Sequence, residues 1–143
     1  MVLIQMLEDV INFTEAPIDE AKFTEECRKE LEQKGVVTLH NFLKPQTVKE
    51  LVREAKSHSD LAYFTNSTHN VYLTPQNKAF SPEHVVNWQL TSSKGCITTD
   101  QIPEPSKLKK LYCSDIFKKF ICKVADEKEL YEYADPLSSI NVH

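Results

Sequence analysis

Glycine is nearly absent from this chain, which has Gly35 and Gly95 as its only two glycines. The phosphate-binding loops of nucleotide-binding folds need two or three glycines within a few residues of one another. The sequence therefore excludes both common types of glycine-rich phosphate loop and the folds built around them.

Closely spaced cysteine pairs are also absent, because the four cysteines are far apart in the sequence. They are Cys27, Cys96, Cys113 and Cys122. No two of them form a Cys-x-x-Cys pair, so zinc ribbons, iron–sulfur clusters and redox dithiols have no support. We expect free thiols in a reducing compartment.

Long apolar runs and stretches of a single charge are absent too. The apolar start, residues 1–7, is interrupted by Glu8 and Asp9, lacks a basic region and is far too short to span a bilayer. The net charge is −4, with acidic and basic residues mixed along the chain, so no basic surface for nucleic acid is expected. We expect a cytoplasmic protein with neither a membrane nor a nucleic acid as its partner.

The length of 143 residues and the hydrophobic share of 41% fit one domain with its own core. An apolar stripe at helical spacing near the N-terminus predicts either an extra docking helix or a segment translated from a misplaced start codon. The stripe consists of Val2, Leu3, Met6, Leu7, Val10 and Ile11. Residues 12–19 have the composition of a linker. We therefore predict an N-terminal extension over residues 1–18 and a domain over residues 19–143.

The domain is predicted to begin with a helix, a strand and a second helix. The first helix runs from Asp19, as its N-cap, to Lys34, and Gly35 suits its C-terminal end. The β-branched run over residues 36–40 predicts a strand. Pro45 suits the first turn of the second helix. The apolar face of that helix is formed by Val48, Leu51, Val52 and Ala55.

The middle of the chain, residues 57–105, is loop-rich, with strands predicted over residues 70–74 and 85–90. Long irregular stretches in compact domains are often functional, so we expect loops and short strands that cover a pocket mouth. Tyr72, Trp88 and Asn70 are candidate substrate contacts, because aromatic side chains with polar tips suit pockets. Packing in a satellite core explains these residues equally well.

The C-terminal part is predicted to form two helices and two strands. One helix covers residues 106–112, and the next begins after the N-cap Ser114 and ends near Asp126. Short strands follow over residues 130–133 and 137–143, separated by a turn at Asp135-Pro136.

The predicted final strand has one mostly apolar face and one polar face. Ser139, Asn141 and His143 alternate along the polar face. This face either lines a pocket inside a barrel or points into water. Because neither a turn nor a partner strand follows it, we expect the chain to be the front part of a larger domain.

Two stretches of the chain resemble the N-terminal half of the iron(II)- and 2-oxoglutarate-dependent oxygenases. The first is the helix–glycine–strand–helix unit around Gly35-Val36-Val37-Thr38-Leu39-His40-Asn41-Phe42-Leu43, as in the phytanoyl-hydroxylase- and prolyl-hydroxylase-like branches. The second, residues 106–143, is similar to the lead-in to the double-stranded β-helix of small-molecule hydroxylases and halogenases. Together they cover roughly half of the chain.

The resemblance implies an α+β fold in which N-terminal helices pack on the first strands of an incomplete double-stranded β-helix, or jelly roll. It implies Fe(II) and 2-oxoglutarate as cofactors and a small polar molecule as substrate. It also implies that Ser139, Asn141 and His143 line the substrate or cosubstrate pocket. Tyr72 and Trp88 stay candidates for the same pocket on the residue pattern of the middle segment, not on the resemblance.

The family's iron ligands, a His-x-Asp or His-x-Gly and a later His, have no matching counterpart here. His58-Ser59-Asp60 matches in its letters, but it lies at a helix end, upstream of the predicted core strands, and we interpret it as a chance match. We therefore expect an N-terminal fragment, truncated before the metal motif, that binds neither cofactor firmly and is inactive alone.

Two other functions remain open at this point. The chain is alternatively a non-catalytic α/β binding or interaction module that holds a partner with its loop-rich middle. It is also compatible with an interaction protein that docks through its N-terminal apolar stripe.

Overall fold

The fold of residues 7–143, the range that the computed structural model describes, is mixed α/β. This range contains four α-helices and one two-stranded antiparallel sheet. The helices are α1 (Ala21–Lys34), α2 (Pro45–Ser57), α3 (Lys107–Tyr112) and α4 (Asp115–Val124), and the strands are β1 (Tyr63–His69) and β2 (Leu90–Cys96). The α-helical content and the mixed class agree with the sequence prediction.

The core lies between α1, α4 and the segment that precedes α1. Phe23 of α1 stacks on Phe120 of α4 with ring centroids 6.1 Å apart. Buried apolar residues complete this core: Leu7, Val10, Ile11, Ala16, Ile18, Cys27 and Val124. The prediction of a linker over residues 12–19 is wrong, because Ala16 and Ile18 carry apolar side chains that the helices bury. Of the N-terminal stripe, residues 2–6 lie outside the described residues.

Backbone contacts hold the N-terminal segment against the start of α2. Ile11 forms an isolated antiparallel bridge with Leu43, and the Lys44 N–H donates to the Val10 carbonyl at 3.0 Å. The Thr47 hydroxyl, fully buried on α2, donates to the Asp9 carbonyl at 2.8 Å. These contacts explain why residues 7–18 share one core with the helices.

The predicted helix ends are mostly confirmed. Gly35 ends α1 in the left-handed conformation at φ 69°, and its N–H donates to the Leu31 carbonyl. Pro45 is the first residue of α2, while Ser106 and Ser114 cap α3 and α4 with their hydroxyls. The predicted N-cap Asp19 is wrong, because Glu20 holds that position.

The strand over residues 36–40 is a wrong prediction. These residues have no strand conformation, and Val37 and Leu39 instead pack half-buried against the helical core. A strand needs a neighbour to satisfy its backbone, whereas here the apolar side chains find their partners on helices.

The strand predicted over residues 70–74 is a turn, and the true strand β1 ends one residue earlier. The Asn70 side-chain oxygen accepts hydrogen bonds from the N–H groups of Tyr72 and Thr74, both at 3.0 Å. Leu73 has φ 56°, which no strand accommodates. Residues 85–87 likewise form a 3₁₀ turn, and β2 begins only at Leu90.

The two C-terminal strands are also wrong predictions. Residues 130–133 are irregular, and most of residues 137–143 form turns around Asp135, whose carboxylate accepts from the Leu137 N–H and the Ser138 hydroxyl. Among residues 137–143 only Val142 forms a β-bridge, an isolated antiparallel one with Ile97, the residue directly after β2. The Asp135 side chain therefore accepts hydrogen bonds from the residues that follow it, and these local bonds favour a turn over an extended strand.

Candidate functional site

The loop between β1 and β2, residues 70–89, is held by two buried asparagines. Asn70 is fully buried, and besides accepting two backbone hydrogen bonds it donates to the Thr74 hydroxyl at 3.1 Å and to the Val86 carbonyl at 3.2 Å. One side chain thus joins the first turn of the loop to its returning limb.

Asn87 performs the same task for the second half of the loop. Its oxygen accepts from the Asn77 N–H at 2.7 Å. Its nitrogen lies within hydrogen-bond distance of the carbonyls of Asn77, Phe80 and Ser81, at 3.0, 3.3 and 3.0 Å. The loop is therefore ordered from inside by amide side chains rather than by an apolar core.

The outer surface of this loop carries aromatic side chains in fixed orientations. The Trp88 ring nitrogen donates to the Glu83 carbonyl at 2.8 Å, although 62% of the residue is exposed. Phe80 stacks on His84 with ring centroids 4.5 Å apart, and His84 in turn accepts from the Val86 N–H. Tyr72 is 66% exposed at the same end. Rigid exposed aromatic groups lose little entropy on binding, so they suit a recognition surface.

The other three predicted site residues lie at the base of the hairpin. Thr99 donates its hydroxyl to the Ile140 carbonyl at 2.8 Å and accepts from the Ile140 N–H at 2.7 Å. Since the only proton of that hydroxyl is used, the Ser139 hydroxyl, 3.0 Å away, must donate to it. The side-chain nitrogen of Asn141, in the amide orientation that places it toward the main chain, donates to the Leu137 and Ile140 carbonyls, both at 3.2 Å. His143 is exposed.

The structure separates the predicted site residues into two groups. Tyr72 and Trp88 lie beyond the His69–Leu90 pair, whereas residues 139–143 lie beside the Tyr63–Cys96 end. Six residue steps of strand separate the two ends, which corresponds to about 20 Å. The five residues therefore extend from opposite ends of the hairpin, and their assignment to one small-molecule pocket stays a prediction.

No group of three His, Cys, Asp or Glu side chains in residues 7–143 is arranged to hold a metal ion. His58 caps α2, with its Nδ1 2.9 Å from the Glu54 carbonyl, and Asp60 lies on an exposed 3₁₀ turn. These residues do not fit an iron(II) facial triad, which needs three convergent ligands.

A narrow apolar crevice lies between the end of α2 and the C-terminal segment. Its volume is about 10 Å³, room for no more than one water molecule, and apolar side chains such as Leu51, Ile97, Ile102 and Val142 form most of its lining. Its carboxylate, on Glu54, already accepts a hydrogen bond from Ser106 at 2.7 Å. The crevice is therefore too small for a substrate, and its carboxylate is already hydrogen-bonded.

Cys27 is the most enclosed thiol among the described residues. Burial, followed by the nearby carboxylates of Glu30 and Glu26, raises the pKa of the Cys27 thiol. It therefore stays protonated at neutral pH and is a weak nucleophile, which agrees with a structural role.

Comparison of the chain with protein-family models, with curated proteins and with solved structures gives no match. Within residues 7–143, every helix is too short or too polar to cross a bilayer.

The sequence did not identify Asn87 or Thr99 as organising residues. Asn70 was predicted to be either a substrate contact or part of a satellite core, and the structure shows it buried. Their signal in the sequence is faint, because it consists of an asparagine or threonine flanked by turn-forming residues, and such residues are common in loops.

Proposed function

We propose that this chain is the N-terminal part of a cytoplasmic Fe(II)- and 2-oxoglutarate-dependent oxygenase that acts on a small polar molecule. In this proposal it supplies helices, the first sheet strands of a jelly roll and part of a pocket wall. The iron ligands, a His-x-Asp or His-x-Gly and a later His, belong to sequence outside these 143 residues. The proposal rests on the resemblance of the residue pattern to that family.

The exposed sheet is the observation that supports the proposal best. Tyr63 and Phe64 are neighbours on β1 and point to opposite faces, yet they are 72% and 71% exposed. A two-stranded hairpin is marginally stable alone, and aromatic side chains on both of its faces call for covering layers. Further strands of a jelly roll would provide such layers and would extend the pairing begun by Val142.

The test is to compare 2-oxoglutarate turnover by the 143-residue chain and by a chain extended with the coding sequence that follows His143. Both are supplied with Fe(II), 2-oxoglutarate and ascorbate, and succinate is measured against a protein-free control. We expect succinate only from the extended chain, and loss of that activity when the histidine of its His-x-Asp or His-x-Gly is changed to Ala. Robust turnover by the 143-residue chain would contradict the proposal.

A non-catalytic binding module is the second candidate, and the internally ordered loop over residues 70–89 favours it. Asn70 and Asn87 fix this loop without any further strand. A self-contained module unfolds in one cooperative step, with calorimetric and van't Hoff enthalpies that agree. A fragment of a larger sheet melts gradually and exposes apolar surface that binds hydrophobic dyes.

A further inference from the structure

The hairpin arm, defined here as Tyr63–Cys96, is depleted in charge. The whole chain has 17 Lys and Arg and 21 Asp and Glu, but the hairpin arm contains only Lys78, Glu83 and Lys94 of these. Its exposed aromatic residues are Tyr63, Phe64, Tyr72, Phe80 and Trp88. Low charge together with aromatic enrichment is the composition of the centre of a protein–protein interface.

Strand β1 presents an unprotected edge in this arm. Among residues 7–143 it pairs only with β2. Natural proteins block free edges with charged side chains, proline or bulges. The seven residues of β1, Tyr63–His69, contain no Lys, Arg, Asp, Glu or Pro, and their register with β2 is unbroken. β2 differs, because Lys94 lies near its middle and residue 97 after it is already bridged to Val142.

We infer that the β1 edge pairs with β1 of a second copy of this chain, forming a closed two-fold dimer with a continuous four-stranded sheet. The charge distribution favours this occupant, since the uncharged hairpin arm matches another hairpin arm better than it matches the charge-rich remainder of the molecule. Three or more strands are needed for a stable sheet, and pairing of two hairpins supplies four. This inference goes beyond the proposed function and does not depend on it.

The antiparallel register that pairs all seven residues of β1 places Asn66 on the two-fold axis. Asn66 of one chain then lies opposite Asn66 of the second chain, and Tyr63 lies opposite His69 of the second chain. A lysine at position 66 would bring two like charges directly opposite each other, which destabilises a strand pair. Ser93 is the cross-strand neighbour of Asn66 on β2. It is also exposed, but in the dimer it lies on an outer strand.

The test is sedimentation equilibrium over a range of protein concentration. We expect the 143-residue chain to form a dimer, N66K and N66D each to raise its dissociation constant by at least ~100-fold, and S93K to leave it nearly unchanged. An equimolar mixture of N66K and N66D should restore dimers, because the two charges on the axis then attract. Circular dichroism of each variant checks that the helices are retained.

Several outcomes would overturn the inference. They are a wild-type chain that stays monomeric at all concentrations, one that grows into open-ended oligomers, equal weakening by N66K and S93K, and a charge-swapped mixture that does not re-form dimers. None of these depends on succinate production, so this inference and the proposed function can fail separately.

Discussion

At the scale of single residues, amide side chains rather than catalytic groups determine the most distinctive part of the molecule. Asn70 and Asn87 join distant points of the loop over residues 70–89 and leave its aromatic side chains on the outside. The polar residues predicted to line a pocket behave differently, since Ser139 uses its hydroxyl on Thr99. Sequence reasoning recognises that an asparagine or serine is available, but it does not identify the partner when that partner is many residues away.

Replacing Asn70 with Ala should release the first half of the loop. The N–H groups of Tyr72 and Thr74 then lose their shared acceptor, and loss of such a hydrogen bond costs about 1 kcal/mol. We expect these two amides to lose their protection from hydrogen exchange, with little change in the helices. Q76A, which removes an exposed amide from the same loop, is the control, and unchanged protection in N70A would contradict this role.

Gly95 and Phe64 form a cross-strand pair that should show energetic coupling. A Cβ on Gly95 would lie 2.7 Å from Cε1 of Phe64, so the ring must move to accept G95A. We expect G95A to destabilise the chain by about 1 kcal/mol in the wild type and to be neutral or slightly stabilising in an F64A background. A double-mutant cycle from denaturant unfolding measures the difference, and simple additivity of the two changes would argue against the contact.

At the scale of elements, helices followed from the sequence and strands did not. The ends of α2, α3 and α4 depend on Pro45, Ser106 and Ser114, which act on backbone groups within one turn of themselves. The strand errors arise because pairing is decided by distant residues. The β-branched run at 36–40 packs against helices and has no neighbouring strand. The polar segment Tyr63–His69, in contrast, pairs with β2.

An ion-pair cluster connects the N-terminal segment with α2 and α3 and should make stability depend on pH. Lys110 donates to Asp9 at 2.6 Å, and Lys107 lies 2.8 Å from Glu50. The Lys110 hydrogen bond holds the pKa of Asp9 below its ordinary value of 3.8, although partial burial opposes this. The Lys107 hydrogen bond likewise lowers the pKa of Glu50.

A lowered pKa in the folded state gives stabilisation that is present above the unfolded-state pKa and is lost as the pH falls through the folded-state value. We therefore expect D9N to reduce the free energy of unfolding at neutral pH by up to about 1 kcal/mol, a small effect because Asp9 is about half exposed. The difference from wild type should shrink below about pH 4. E8Q is the charge-matched control, and a D9N effect that persists in acid would exclude the ion pair as its cause.

At the scale of the whole molecule, a helical core with buried aromatic packing carries a charge-poor hairpin with both faces exposed. The mixed α/β class and the helices could be predicted from the sequence, because helical periodicity and caps are local. The surroundings of the candidate site residues could not, because Ser139 bonds to Thr99, which is 40 residues away, and Tyr72 and Trp88 extend from the opposite end of the hairpin. This uneven division between a covered core and an uncovered sheet supports the proposal that additional strands belong to the protein.

The most direct test of the central claim is to determine the nucleotide sequence that follows the codon for His143 in the gene and in its transcripts. The oxygenase account predicts an in-frame continuation that encodes a His-x-Asp or His-x-Gly shortly after residue 143, a second histidine much later, and an arginine or lysine beyond them. A continuation without this set of residues, in the gene and in every transcript, would contradict it.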